Sequence, residues 1–396
     1  MYAIKKDTNG SQVIITDDMI LTTDCPTTAG SKMLDGYKSL IEAQVLADLK
    51  AAGYQLGGKA QVGEFAIDLL GETSYTGAEV KDGHIINPSA EILKQGEAVA
   101  AINLDVNGSV RRAAAQNDLV SIKPTYGTVS RYGTIPVVCS GETVSVMASD
   151  VKTCKDVLGA IVKHDDKDGT SLPEEKCNLV KTFSAEVKKV AVLNPFLTKI
   201  QDDVKAKVDA FCAKLEANDI IVSRIEDDII IKSNIAWNIL MCAELCNNVS
   251  RYDGVKYGYR TQNFTNIDEL YTNSRTEAFG ELLKTAILYG SETLSTDNYF
   301  KVYDKALRVR RVICQEFNKL FEEYDAVIIP ACSQMTYTEE LVKSNKHITF
   351  DENLYTAPAS ITGLPALVVD GIQVIGKAFS ENVLFDIAGV CAKEGR

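Results

Sequence analysis

The stretch DVNGSVRRAAAQNDLVSIKPTYGTVSRYGTIP, residues 105–136, decides how this 396-residue chain is read. Its distinctive parts are DVNGSVR at 105–111, KPTYG at 123–127 and VSRYG at 129–133. Around it, short apolar strands alternate with long amphipathic helices. Upstream, VIITDDMI (13–20) reads as a strand. Residues 39–52 place Leu40, Ile41, Val45, Leu46 and Leu49 on one helical stripe, with Gly53 following as the C′ residue. Downstream, Ile200, Val204, Val208, Phe211 and Leu215 recur at helical spacing and lead into the β-rich IIVSRIE at 220–226. The same order returns where Leu307, Ile313, Phe317, Leu320 and Phe321 precede AVIIP at 326–330. This alternation argues for a layered α/β sheet with helices on both faces. The polar run 162–177 is expected to be an exposed connection, and 333–353 a second long loop. No internal repeat or low-complexity linker divides the chain, so a single domain over 1–396 is expected.

Composition sets the outer limits. The chain is 45% hydrophobic and 24% charged, ordinary values for a soluble globular protein. No apolar stretch approaches the roughly 18 residues that span a bilayer, and no apolar signal core follows Met1, so no membrane association and a cytoplasmic location are expected. A formal charge of −12 makes the chain a poor primary binder of nucleic acid. Ten cysteines include no CxxC pair; Cys242 and Cys246 share a helical face, but no histidine or second pair lies near them in sequence. Reduced core thiols are expected, with neither a metal nor a cofactor. The three histidines, His84, His164 and His347, sit in no recognisable catalytic context and read as surface or loop residues.

The stretch 105–136 resembles the core of the amidase signature, in which D-T-G-G-S-I-R leads through small residues to K-P-T-Y-G-x-V-S-R-Y-G. The likeness is nearest to the A subunit of the glutamyl-tRNA(Gln)/aspartyl-tRNA(Asn) amidotransferases. Further matches follow in order: SKML (31–34), LKAAG (49–53), HDDKDGTS (164–171), SRYDGVKYGYR (250–260), ELYTNSRTEAFG (269–280) and TGLPAL (362–367). The resemblance implies an amidase-signature fold, layered α/β/α around a central mixed β-sheet. It also implies a mechanism: a buried serine nucleophile gives its proton, through a second serine in a cis peptide, to a neutral lysine. Backbone N–H groups of a glycine-rich turn form the oxyanion hole. A serine hydroxyl is inert near neutral pH without such a base, and the tetrahedral intermediate needs preplaced donors.

Carried over residue by residue, the resemblance puts the nucleophile at Ser109, with Asp105 and Arg111 retained around it. Val106, Asn107 and Gly108 form the oxyanion turn, where Asn107 replaces a glycine. Glycine permits positive φ and close approach; asparagine is the best substitute in that conformation but adds bulk. No doubly serine, glycine-rich loop fits ahead of the helix that begins near Ser89 in DGHIINPSAEILKQGEAVAAINLD (82–105). In the ungapped register Asp17 takes the place of the lysine; a rival register uses Lys5 or Lys6. Lys59 matches a different, structural lysine. The glutamine-pocket tyrosine, arginine and aspartate become Trp237, Ala286 and Asn353, removing the guanidinium that would hold a carboxylate.

Three functions follow from this pattern. The first is a catalytically impaired A-like chain that keeps the fold for binding, with B- and C-like amidotransferase subunits or a second copy as partner. The others are a redirected serine amidase using Lys5 or Lys6, and a conventional glutamine-hydrolysing chain of the A type. The family's N-terminal helices have no counterpart ahead of residue 13, and an apolar surface favouring association is expected where they would pack.

Overall fold

The computed structural model describes residues 12–392. Twelve strands occur in it: β1 (Val13–Asp17), β2 (Gln55–Ala60), β3 (Val80–Lys81), β4 (His84–Ile85), β5 (Ala100–Asp105), β6 (Val120–Lys123), β7 (Thr143–Ala148), β8 (Lys189–Leu193), β9 (Ile221–Ile225), β10 (Ala326–Pro330), β11 (Ala366–Val369) and β12 (Ile372–Gly376). Ten form one mixed sheet in the order β2-β1-β5-β7-β6-β11-β12-β10-β8-β9, and β3 and β4 make a separate small hairpin. The central strands β5, β7, β10, β11 and β12 are buried along their whole length, as expected of strands covered by helices on both faces. β11 and β12 are joined through Asp370 and Gly371, both at positive φ (50° and 83°), the backbone that a two-residue hairpin turn requires.

Several sequence expectations need correction. The first long helix spans Gln44–Ala51, not 39–52. Val45, Leu46 and Leu49 are buried, but Leu40 is 95% exposed and Ile41 41%, because both precede the helix. Gly53 does follow it at φ 94°. The region 333–353 is not one loop, since helices occupy Glu339–Ser344 and Ile348–Thr362. The second carries Pro358 in its interior, a residue that argues against a helix when read alone. The polar run 162–177 ends in the Glu174–Thr182 helix, which buries Cys177. Two of its three aspartates bond inward, Asp165 accepting the Ser130 hydroxyl at 2.6 Å and Asp168 the Arg131 N–H at 2.8 Å, while Asp166 is exposed. His164 and His347 are exposed, whereas His84 lies in β4 with a buried Nδ1 that has no partner among the described residues.

Candidate functional site

β5 delivers the Val106–Gly108 turn to the start of the Ser109–Gln116 helix. Gly108 adopts φ 81°, and a Cβ there would stand 2.3 Å from the Cβ of Thr356, so only glycine fits. Asn107 is not among the residues with positive φ, contrary to expectation; its effect comes from its side chain rather than from its backbone. The Gly108 N–H already donates to Asp105 at 3.1 Å, so this candidate oxyanion donor is engaged within the protein.

Below the turn lies a buried polar framework. Arg111 grips Asp105 with two bonds, at 2.8 and 3.0 Å, and also donates to the Thr356 carbonyl, Gln373 and Ser360. Burial, the largest single influence, would raise the Asp105 pKa, but the charge and hydrogen bonds of Arg111 together with the charges of Lys123 and Arg112 outweigh it and hold the carboxylate below its usual value. Arg112, also fully buried, donates to the carbonyls of Leu69, Asp68 and Asn107 and to Thr356 Oγ1. Lys123, the first residue of KPTYG, is a buried amine to which the sequence reading assigned no role. Burial first, then the nearby Arg111 charge, lowers its pKa to about 7, and its Nζ donates to the Leu364 carbonyl at 3.2 Å.

Ser109 is 9% exposed, and its hydroxyl makes no hydrogen bond to any described residue. Asp17 stands at the end of β1, buried, accepting the N–H of Met19 at 3.0 Å and that of Leu104 at 2.7 Å. Burial raises its pKa to about 7, against the lowering effect of those two bonds. Lys59 pairs with Asp18 at 3.4 Å and donates to the Pro26 carbonyl and to Thr27; burial lowers its pKa. Lys5 and Lys6 lie outside the described residues. Ahead of the Pro88–Lys94 helix, residues 82–88 contain no serine, and Ser89 itself donates to Asn103 at 3.0 Å.

Trp237, Ala286 and Asn353, expected from the resemblance to stand at glutamine-pocket positions, fall on helices Ser233–Val249, Glu281–Thr293 and Ile348–Thr362, and all three are buried. The Trp237 indole N–H donates to Asn107 Oδ1 at 3.0 Å, while Asn107 Nδ2 donates to the Ile67 carbonyl at 2.8 Å. A Cβ at Gly141 would lie 2.4 Å from the indole ring, so a bare backbone makes room for the tryptophan. The side chains of residues 107 and 237, far apart in sequence, thus form one contact. Asn353 donates to Asn238 at 2.6 Å and leaves its own Oδ1 buried without a partner. Among the cavities that indent the described residues are five of about 260 to 810 Å³, and Ser109 lines none of these five. No group of three or more potential metal ligands occurs among the described residues, and none of their helices is long and apolar enough to cross a membrane.

The buried carboxyls carry a pH dependence. Asp17 and Glu64 are each raised to about 7, chiefly by burial. Their folded pKa exceeds the unfolded one, so their contribution to stability is full below about pH 4 and is lost as pH rises through about 7. The urea midpoint is expected to fall between pH 5 and pH 7.5. Asp17→Asn should remove part of that fall, by as much as a few kcal/mol at about 1.4 kcal/mol per pKa unit. A midpoint that rises over this interval would contradict the assignment.

Residues 13–385 match the family described as Amidase. The chain is 33% identical over 393 residues to the A subunit of the glutamyl-tRNA(Gln) amidotransferase of Lactobacillus delbrueckii subsp. bulgaricus, covering 94% of this chain and 82% of that one. Identity to the corresponding chain of Streptococcus pneumoniae is 32% over 390 residues, covering 94% and 80%. The crystal structure of its counterpart from Thermotoga maritima aligns with a TM-score of 0.79 at 26% identity, covering 98% of this chain and 85% of that chain.

Proposed function

Since this chain belongs to the amidase family, we propose that it is an A-type amidotransferase chain whose amide chemistry is impaired and whose fold serves binding within an amidotransferase-like assembly. The observation that carries this reading is the isolation of the Ser109 hydroxyl. Deprotonating a serine needs an acceptor within hydrogen-bond reach, and no described residue supplies one. Asp17 is no substitute for a lysine base, because its two oxygens are taken by backbone N–H groups. The Trp237–Asn107 contact supports the same reading, since it fills space beside the turn with protein.

An assembly role gains support from the surface. Leu288 is 71% exposed and Tyr289 50% on the Glu281–Thr293 helix, and Phe300 is 73% exposed in the Tyr299–Tyr303 turn. These two segments pack against each other, and contiguous exposed apolar surface, unlike scattered single side chains, marks interaction sites. B- and C-like amidotransferase subunits are the proposed partners.

The test is glutamine and asparagine hydrolysis by the full chain, alone and co-expressed with B- and C-like subunits from its host, beside a Ser109→Ala control. No Ser109-dependent ammonia release is expected in either setting, while the subunits co-purify. Turnover that disappears in Ser109→Ala would replace this reading with that of an active amidase.

A further inference from the structure

The helices Ser233–Val249, Glu281–Thr293 and Ile348–Thr362 border a cavity of about 350 Å³, within the range of small-ligand pockets. Neither Ser109 nor Trp237, Ala286 or Asn353 lines it. The first two helices touch at Gly290, where a Cβ would stand 2.0 Å from the Cys242 carbonyl oxygen, so only glycine permits the approach. Cys242 and Thr293 are the two buried lining residues and form the inner end. Ile235, Tyr289, His347 and Asp351 are exposed and form the mouth. Between them, Ile235 and Ile239 make an aliphatic wall, and Tyr289 and Phe350 an aromatic one, their rings edge to face with centroids 5.9 Å apart.

Thr293 is the residue that points to a ligand. A threonine within a helix can satisfy its hydroxyl on the carbonyl one turn back. Thr285 on the same helix does so with Glu281 at 2.9 Å, and Thr362 does so with Pro358 at 2.6 Å. Thr293 is only 8% exposed, yet its hydroxyl makes no such bond, nor any other to a described residue. Its oxygen is not sealed in protein but opens on the cavity. The other polar groups away from the mouth are accounted for. Asn238 donates to Asn234 and to the Phe350 carbonyl and accepts from Asn353. Burial pushes the Cys242 thiol up to about 12, so the inner end carries no charge. No lysine or arginine lines the cavity. One free hydroxyl beneath aliphatic and aromatic walls complements a small ring that carries one hydroxyl of its own.

We propose that this cavity binds a small neutral phenol, its ring held between the two walls and its hydroxyl bonded to Thr293 Oγ1. The phenol leaves water and buries its ring against Ile239 and Phe350, which supplies most of the affinity. The bond to Thr293 supplies the selectivity, because a buried hydroxyl gains most from a partner that water cannot provide there. A neutral hydrogen bond of this kind corresponds to roughly fivefold in affinity.

The experiment titrates the full chain with p-cresol and with p-xylene, in which a methyl group replaces the hydroxyl, and follows binding by NMR. Saturable binding of p-cresol is expected, with a dissociation constant of about 1 mM. Intermolecular NOEs should join its ring protons to the methyl groups of Ile235, Ile239 and Thr293. Thr293→Val keeps the side-chain shape and removes the hydroxyl; it should weaken p-cresol roughly fivefold and change p-xylene by less than about twofold. Its urea midpoint should equal or exceed the parent's, since no bond within the protein is lost. The proposal is overturned if p-cresol fails to saturate up to about 10 mM. It is equally overturned if the NOEs place the ring elsewhere, or if Thr293→Val weakens both probes alike or neither. The NOEs come from the parent chain, so they decide the location even if the variant folds poorly. Ser109 does not line this cavity, so the outcome is independent of the hydrolysis assay.

Discussion

Arg111→Met is expected to lower the unfolding free energy by about 3–5 kcal/mol, while Ser109→Ala should change it by no more than about 0.5 kcal/mol. Arg111 is completely buried, and its guanidinium makes five hydrogen bonds, two to Asp105 and three to groups on the Ile348–Thr362 helix and β12. Methionine preserves much of the volume but abandons Asp105 in the interior with only the Gly108 N–H as a remaining donor. An unpaired buried carboxylate costs far more than the original pair contributed, which is why removing one partner is so damaging. The Ser109 hydroxyl has nothing to lose by comparison. Urea unfolding of the two variants side by side decides the matter, and a loss below about 1 kcal/mol for Arg111→Met would refute the framework role. The contrast also bears on function: a chain can keep DVNGSVR to hold its helix against its sheet, with no chemistry required of the serine.

The legible parts of this chain were those in which local pattern and family pattern agree. VIITD, AVIIP and the helix–strand pair at 200–226 could be read from apolar periodicity alone, and DVNGSVR marked the strand–turn–helix that carries Ser109. Where tertiary contacts set the outcome, periodicity misled. Leu40 and Ile41 continue an apolar stripe that the backbone does not continue. Residues 348–353 are too polar and too close to Pro358 to announce a helix, yet it is packed so deeply that Glu352 and Asn353 are buried. At the site, sequence alone could name positions 107 and 237 as altered, but not that the two altered side chains meet. Pairing across 130 residues is invisible to spacing. A large residue replacing a glycine at 107 and an indole at 237 was the available signal, since both add volume to a region assigned to ligand.

That added volume makes Trp237→Ala the most informative change at the site. Trp237 is 2% exposed, packs against Gly141 and ends its indole N–H on Asn107. Truncation to alanine is expected to cost about 3–5 kcal/mol, from lost burial and an incompletely collapsed cavity. Because the cavity would be largely apolar, free indole should bind it and recover part of the loss, raising the thermal midpoint with ligand concentration. Trp237→Phe separates the terms: it keeps a ring in place and forfeits the N–H bond, at about 1–2 kcal/mol. A loss under about 1 kcal/mol for Trp237→Ala, with no rescue by indole, would mean that the ring is not packed as described. Emptying the space should still not restore amide hydrolysis, even with Asn107→Gly added to return the turn to two glycines. The cavity and the turn would then be open, but a hydroxyl without a proton acceptor remains a poor nucleophile however much room its substrate is given. Glutamine turnover by the Asn107→Gly/Trp237→Ala chain, abolished by Ser109→Ala, would show instead that steric closure was the only barrier and that a base stands within reach.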